Sequence, residues 1–373
     1  MRFVYAILCV LIDLLPLRAQ HDLRFSLFST PVLSASDSNK VTIRADIVGF
    51  FKNNEYFSPV AVGQTLPGTA STFALGYQRA DRFKAELGAS FVKYSGRDPL
   101  HNAVPFVRLQ YSITPALHMV LGNLYGGINH RLIEPLYLWE QHFTAKPESG
   151  LQCLFHTDRW FADAWVDWQH FIRYGDPEQE ALTFGASLAG RLTNDGSRVS
   201  LTMPLQLLMH HKGGQIDASG EHTTLLANTA MGLCTRLNIN SEWVRTVGLD
   251  LYAVGYWGQY SKEPFEPYDK GWGVYPVFSV DASPIVFMAG YWYAQKYYAF
   301  AGEPLFGSFN PCYPDQLLPE RNLVTCKLVF DKELLTGVFM GAQFESYSDL
   351  HRGKTDYSFG IHLRFNHLFR FTK

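Results

Sequence analysis

The strongest constraint in this chain is an alternation of period two that recurs from residue 40 to the end. In the last segment, Tyr357, Phe359, Ile361, Leu363, Phe365, Phe369 and Phe371 share one parity, broken only by His367. Asp356, Ser358, Gly360, His362, Arg364, Asn366 and Arg370 share the other. Successive side chains of a strand point to opposite faces, so such a segment has one apolar and one largely polar face. The same pattern runs through Phe83–Phe91, Leu182–Leu192 and Val199–Met209. Sixteen strands follow from it: 40–52, 70–79, 83–94, 104–113, 116–123, 150–156, 160–172, 181–193, 198–210, 223–239, 243–260, 273–280, 285–299, 321–330, 334–346 and 356–372.

The links between these strands alternate in length. Short ones, such as Ala80-Asp81-Arg82, Thr114-Pro115, Asn194-Asp195-Gly196 and Asp331-Lys332-Glu333, carry the usual turn residues. Long ones fall at 53–69, 95–103, 124–149, 173–180, 211–222, 261–272, 300–320 and 347–355. A soluble sandwich has no reason to alternate in this way. A transmembrane barrel does, because its periplasmic turns are short and its extracellular loops are long. An even strand count places both ends of the barrel in the periplasm.

Composition supports this reading. Trp, Tyr and Phe number 8, 20 and 28, which is 15% of the chain, whereas charged residues reach only 18%. That excludes a disordered chain. A formal charge of −2 argues against a nucleic-acid binder. After residue 20 no apolar run is long enough for a membrane helix, yet mean hydropathy is close to neutral at −0.07. With the apolar parity taken as outward, aromatics fall at both strand ends. Tyr77, Phe83, Tyr111, Phe155, Trp160, Trp243, Phe330 and Phe369 lie near the short turns; Phe51, Phe91, Trp168, Trp257, Phe344 and Tyr357 lie near the long loops. Two aromatic girdles on the lipid-facing side are what a membrane barrel requires.

Residues 1–19 read as a signal peptide, with a basic start at Arg2, an apolar run from Phe3 to Leu17 and cleavage after Ala19. Residues 20–39, with a strand-like stretch at 22–29, are assigned to a periplasmic or lumenal segment, and 40–373 to one barrel domain. The four remaining cysteines (Cys153, Cys234, Cys312 and Cys326) match no zinc or redox spacing and read as free, buried thiols.

Together, the leader, the alternating strands, the turn-and-loop pattern and the aromatic-rich FGIHLRFNHLFRF resemble a Gram-negative outer-membrane β-barrel over essentially the whole mature chain, with a strand count similar to the porins. Leucine-rich phrases such as NHRLIEPLYLWEQ are similar to barrels of the Bacteroidetes. The chain departs from general porins in ending Phe371-Thr372-Lys373 rather than on Phe. The resemblance implies an outer-membrane location and contact with outer-membrane lipids and lipopolysaccharide.

The inward parity carries the candidate functional residues. Basic ones include Arg44, Lys84, Arg108, Arg236, Lys327 and Arg364; acidic ones include Asp46, Glu86, Asp163, Asp167, Asp250 and Glu345. A mixed lining implies a weakly selective pore or an internal salt-bridge network. Trp165 lies between Asp163 and Asp167 on one face. It suits either stacking on a sugar ring or packing against a loop folded into the lumen. The longest loop, 124–149, is the third. In sixteen-stranded porins the third loop commonly narrows the pore, which makes Asn129, His130, Arg131 and Glu134 constriction candidates; an extracellular cap or partner-binding loop is the alternative. Glu134-Pro135 is placed to open a short helix. No hydrolase or nucleotide motif is present, so the expected protein is no enzyme and uses no cofactor. It is a passive channel for small polar solutes or a non-conducting subunit of an outer-membrane complex, alone, as a homo-oligomer or with other outer-membrane proteins.

Overall fold

The structure, a computed structural model, describes residues 28–29, 33–239, 241–261 and 267–371. The expected signal peptide and most of the strand-like stretch at 22–29 lie outside the described residues. The described residues form sixteen strands: β1 (Val41–Glu55), β2 (Thr65–Arg79), β3 (Phe83–Tyr94), β4 (His101–Ser112), β5 (Leu117–Asn123), β6 (Ser149–His156), β7 (Trp160–His170) and β8 (Ala181–Arg191). These are followed by β9 (Val199–Lys212), β10 (Thr224–Asn238), β11 (Thr246–Tyr260), β12 (Lys270–Ala282), β13 (Ile285–Gln295), β14 (Glu320–Leu335), β15 (Val338–Asp349) and β16 (Lys354–Phe371). Each pairs antiparallel with its sequence neighbours, and β16 closes on β1 from Val41↔Phe371 to Glu55↔Tyr357. Closure gives every strand a partner on both sides except at the outer ends of β4 and β7, as a sheet in lipid requires, where unpaired backbone groups find no water.

The expected strand boundaries agree closely, as at β3, and shift where pairing outlasts the apolar pattern. β14 continues to Leu335, which moves the turn to 336–337 and the start of β15 to Val338. β15 and β16 also reach further outward than their alternation suggested. Their connection shrinks to 350–353, so loop length alone does not identify the outer end there. Trp243 lies in the turn before β11 rather than on the strand, and Lys296 lies just past β13 at positive φ.

The two faces separate as the alternation requires. Leu75, Leu87, Leu121, Leu188, Met231 and Ile361 are exposed on the outside, where lipid covers them. Tyr77, Trp160 and Phe369 are exposed near the short turns, and Trp168, Trp257 and Phe344 near the long loops. Of the cysteines, Cys234 is buried but Cys153 and Cys312 are exposed; all four are free.

The core is inside the barrel. Two connections, 124–148 and 296–319, leave the wall and fill the lumen. Leu136 and Tyr137 of the first join Tyr297, Leu305 and Phe306 of the second, against Trp292 and Tyr347 of the wall. Trp292 sits edge-on to Phe306 at 5.0 Å and donates from its indole Nε1 to the Phe306 carbonyl at 3.1 Å. The two connections also bond to each other: Leu138 N donates to the Ala301 carbonyl (2.7 Å), and Tyr297 Oη to the Pro135 carbonyl (3.0 Å). This explains why the helix expected at Glu134 is absent. The backbone there turns on Ile133 and bonds across to the second loop; the helical turns of this loop fall on either side of it, a 3-10 turn at Gly127–His130 and an α-helical turn at Gln141–Thr144.

Candidate functional site

The inward charges lie in compact groups. Near the periplasmic end of β1–β4, Glu86 accepts from Arg44 and Lys84, both at 3.2 Å, with Arg108 at 3.6 Å. Arg364 meets Asp46 at 2.7 Å, and Arg236 meets Asp250 through two parallel contacts, one of 2.7 Å. Arg108 also donates to the Asn123 and Leu124 carbonyls where the first loop leaves β5, and its guanidinium lies 3.9 Å from the Tyr125 ring centre. Of the two readings of the mixed lining, this geometry is that of the internal network.

A second group anchors the plug. Lys327 on β14 pairs with Glu134 of the first loop and, at 3.4 Å, with Glu345 on β15. Tyr347 donates to Glu134 at 2.7 Å, and Lys52 on β1 lies 3.3 Å from Glu140 and 3.5 Å from Glu345. Glu303 of the second loop is buried beside them. Burial is the main cause that raises its carboxyl pKa, to about 8; Lys52 lowers it and the carboxylates of Glu134, Glu140 and Glu345 raise it.

The third group faces the main cavity. At the top of β5, Gly122 takes a φ of +89°, and a Cβ there would stand 2.3 Å from the Val107 carbonyl oxygen. The chain then turns into the lumen and places His130 against the wall. The His130 ring stacks on Trp165 with centroids 3.5 Å apart and planes 7° apart. Its Nδ1 donates to Asp163 (2.8 Å) and its Nε2 to Glu148 (2.6 Å). Two donating nitrogens require the imidazolium. Burial alone would lower its pKa, but the two carboxylates and their hydrogen bonds reverse this and raise it to about 10. Gln152 Nε2 holds Asp163 at 3.0 Å, and the Gly127 amide holds Glu148 at 2.9 Å. Gly185 on β8 lets the indole lie flat, since a Cβ there would stand 2.0 Å from the Trp165 ring. Asp167 accepts from the Ser149 amide at 2.7 Å.

The cavity above this group measures about 1360 Å³ and is lined by His130, Glu148, Trp165, Asp167, His210 and Phe300, among others. His210 accepts or donates at 3.2 Å with Thr183 Oγ1 and stacks on Phe300. The site thus offers an imidazolium between two carboxylates and a hydroxyl–imidazole pair on the wall. Among the described residues, no group of three or more His, Cys, Asp and Glu is arranged to hold a metal ion.

The remaining candidates fall in two places. Asn129 accepts from the Ser29 amide at 2.8 Å, and Arg131 lies over Phe161 at 4.0 Å. The face of Trp165 read as a sugar platform is covered by His130, and Asp163 is engaged by His130 and Gln152. Glu148 and Thr183 carry no sequence signal of their own, and His210 reads from sequence as one of several scattered, structural histidines. Glu148 falls in a loop with no periodicity, and His210 belongs to the pair His210-His211, which a strand splits between opposite faces.

The molecule is a sixteen-stranded outer-membrane β-barrel whose lumen holds a loop plug and a polar site. Residues 33–373 match the Lipid A 3'-O-deacylase-type family, and the chain belongs to that family. This overturns the expectation of a protein that is no enzyme. That expectation rested on missing short motifs, and a barrel site drawn from several strands and a loop leaves no contiguous motif. No curated protein matches the chain in sequence. Among solved structures, OmpT of Vibrio cholerae is 10% identical, with a TM-score of 0.50 over 90% of this chain and 100% of that one. OprD of Pseudomonas aeruginosa is 8% identical, with a TM-score of 0.50 over 93% and 99%. These likenesses concern the fold.

Proposed function

We propose that the protein is an outer-membrane ester hydrolase that removes an acyl chain from a lipid A-type glycolipid. The observation that carries this is the Glu148–His130–Asp163 relay opening on the cavity. Family membership supplies the reaction class. In the reading we favour, the Glu148 carboxylate faces the cavity and takes a proton from a water that adds to the ester carbonyl; as the acyl C–O bond to the sugar breaks, Glu148 returns that proton to the sugar oxygen, releasing the fatty acid and a free hydroxyl. The His130 imidazolium holds Glu148 in place and balances its charge, while Asp163 orients the ring from behind. Glu148 is the proposed catalytic residue; His130 and Asp163 are positioning residues.

The plug supports a non-conducting barrel over passive diffusion. Its loops are pinned to the wall by buried ion pairs, and its apolar side chains pack across the lumen.

The test is acyl release. Purified, heat-modifiable protein is incubated with lipid A, and free fatty acid is measured by mass spectrometry. Release is expected from the wild type, with a loss of about 10²-fold or more in Glu148→Gln, the scale of a missing general base. In Asp163→Asn the pH profile should shift while KM stays unchanged. Folded wild-type protein that releases no fatty acid would refute the assignment.

A further inference from the structure

The barrel wall has a gap on one side. β5 pairs with β4 only from Arg108↔Gly122 to Ser112↔His118. His101 and Val104–Phe106 of β4 pair with β3 across a bulge, and residues 101–106 have no strand partner in β5, the Asn102 side chain alone donating to the Thr144 carbonyl at 2.7 Å. On the other flank, β6 pairs with β7 only up to Gly150↔Asp167, so Trp168–His170 pair with β8 alone. Between these flanks both β5 and β6 have turned into the lumen. β4 and β7 are three inter-strand spacings apart, about 14 Å, and six residues of free β4 edge extend for about 20 Å.

The sequence agrees with an edge at this place. The Val107 amide points toward β5, where Asn123 Oδ1 accepts it at 2.7 Å. The backbone nitrogen two residues earlier has the same direction, and it belongs to Pro105. A proline is tolerated where no ladder bond is lost. Here Pro105 presents no amide to the open edge.

The gap faces lipid. Ala103, Pro105 and Val107 point outward and are exposed and apolar, and exposed Trp168 stands on the opposite flank. The cavity is lined both by Pro105, Val107 and Trp168 of the outer face and by Leu208, Leu226 and Phe300 of the lumen. One continuous space therefore joins the lipid-facing surface to the interior, past Glu148 and His130. Exposed Lys146 lies in the segment that borders it, a cation for a phosphate at the membrane surface.

We propose that this gap is a lateral entry slot through which an acyl chain of an outer-leaflet lipid A-type glycolipid passes from the membrane into the lumenal cavity. The occupant follows from position. Lipid bathes the opening, the lining beyond it is apolar, and the slot lies on the side of the long loops, which face the outer leaflet. The slot deepens the hydrolase reading by giving its substrate a route, but its test needs no turnover.

The experiment places the full-length protein in proteoliposomes containing lipid A with a photoreactive diazirine near the end of one acyl chain. After irradiation, labelled residues are mapped by mass spectrometry. Labels are expected on Val104 and Pro147 in the slot and on Leu226 and Phe300 in the lumen, besides outward residues such as Leu109. Val104→Trp should reduce lumenal labelling at least tenfold and leave Leu109 labelling unchanged. Labels on outward residues alone would overturn the slot. So would lumenal labels that persist in Val104→Trp, since the chain would then enter over the rim. If that variant fails to show heat-modifiable folding, the wild-type map decides: lumenal labels with none at Val104 or Pro147 overturn the proposal. Lumenal labelling by a diazirine phospholipid but not by lipid A would overturn the assigned ligand. Acyl release with no lumenal labelling would sink the slot and leave the hydrolase reading standing.

Discussion

At the scale of single residues, the lumen is a set of buried charges whose stability depends on partners. Lys327 pairs with Glu134 and Glu345, and Lys52 shares Glu345, all of them buried. Removing one partner of a buried pair leaves uncompensated charge and costs about 3–5 kcal/mol. Lys327→Met should therefore lower the temperature at which the folded form is lost on gels, and Lys327→Met with Glu134→Gln should recover part of that loss. Two loop groups set a pH response. Glu303 and His130 both have folded pKa values above their unfolded ones, about 8 and about 10. Each thus contributes stability that is complete below its unfolded pKa, about 4.5 and 6.5, and is lost as pH rises through the folded value. The plug should loosen progressively as pH rises, from about 4.5 to about 8 through Glu303 and from about 6.5 to about 10 through His130, as read by hydrogen exchange of the two loops. Glu303→Gln should remove the lower window and leave the upper one.

At the scale of elements, the site depends on a strand and a loop meeting at close range. Trp165 on β7 lies flat because residue 185 on β8 has no side chain. Gly185→Val should displace the indole, unstack His130 and lower acyl release at least tenfold while the barrel still forms. Retained release would show that the stack is dispensable. The parity of the strand residues was readable in advance, and so were the inward positions of Asp163, Trp165 and Asp167. Their partners were not. His130 and Glu148 come from a loop without period, and its entry into the lumen depends on Gly122, Arg108 and the second loop together. The expected helix at Glu134-Pro135 failed for the same reason, because cross-loop bonds displaced the local preference.

At the scale of the whole molecule, the barrel and its plug make separate predictions. A closed barrel should migrate differently on gels before and after boiling. In planar bilayers the wild type should show no discrete conductance, and deletion of 124–148 should produce it. Discrete conductance from the wild type would return the passive channel to first place. The enzymatic class could not be read from short motifs, because the site is spread over non-contiguous positions: His130 and Glu148 of one loop meet Asp163 of β7.

What the sequence determined by itself was the membrane barrel. A strand exposes every second side chain to lipid, so the requirement to face hydrocarbon is written residue by residue as period two. Closure follows because lipid satisfies no backbone group. What the tertiary structure alone decided was the interior: which charges pair, which loops fill the lumen, where His130 is held and where β5 and β6 leave the wall open. Those depend on distances between segments remote in the chain, set by closure and by packing of two aperiodic loops, and no local pattern records them.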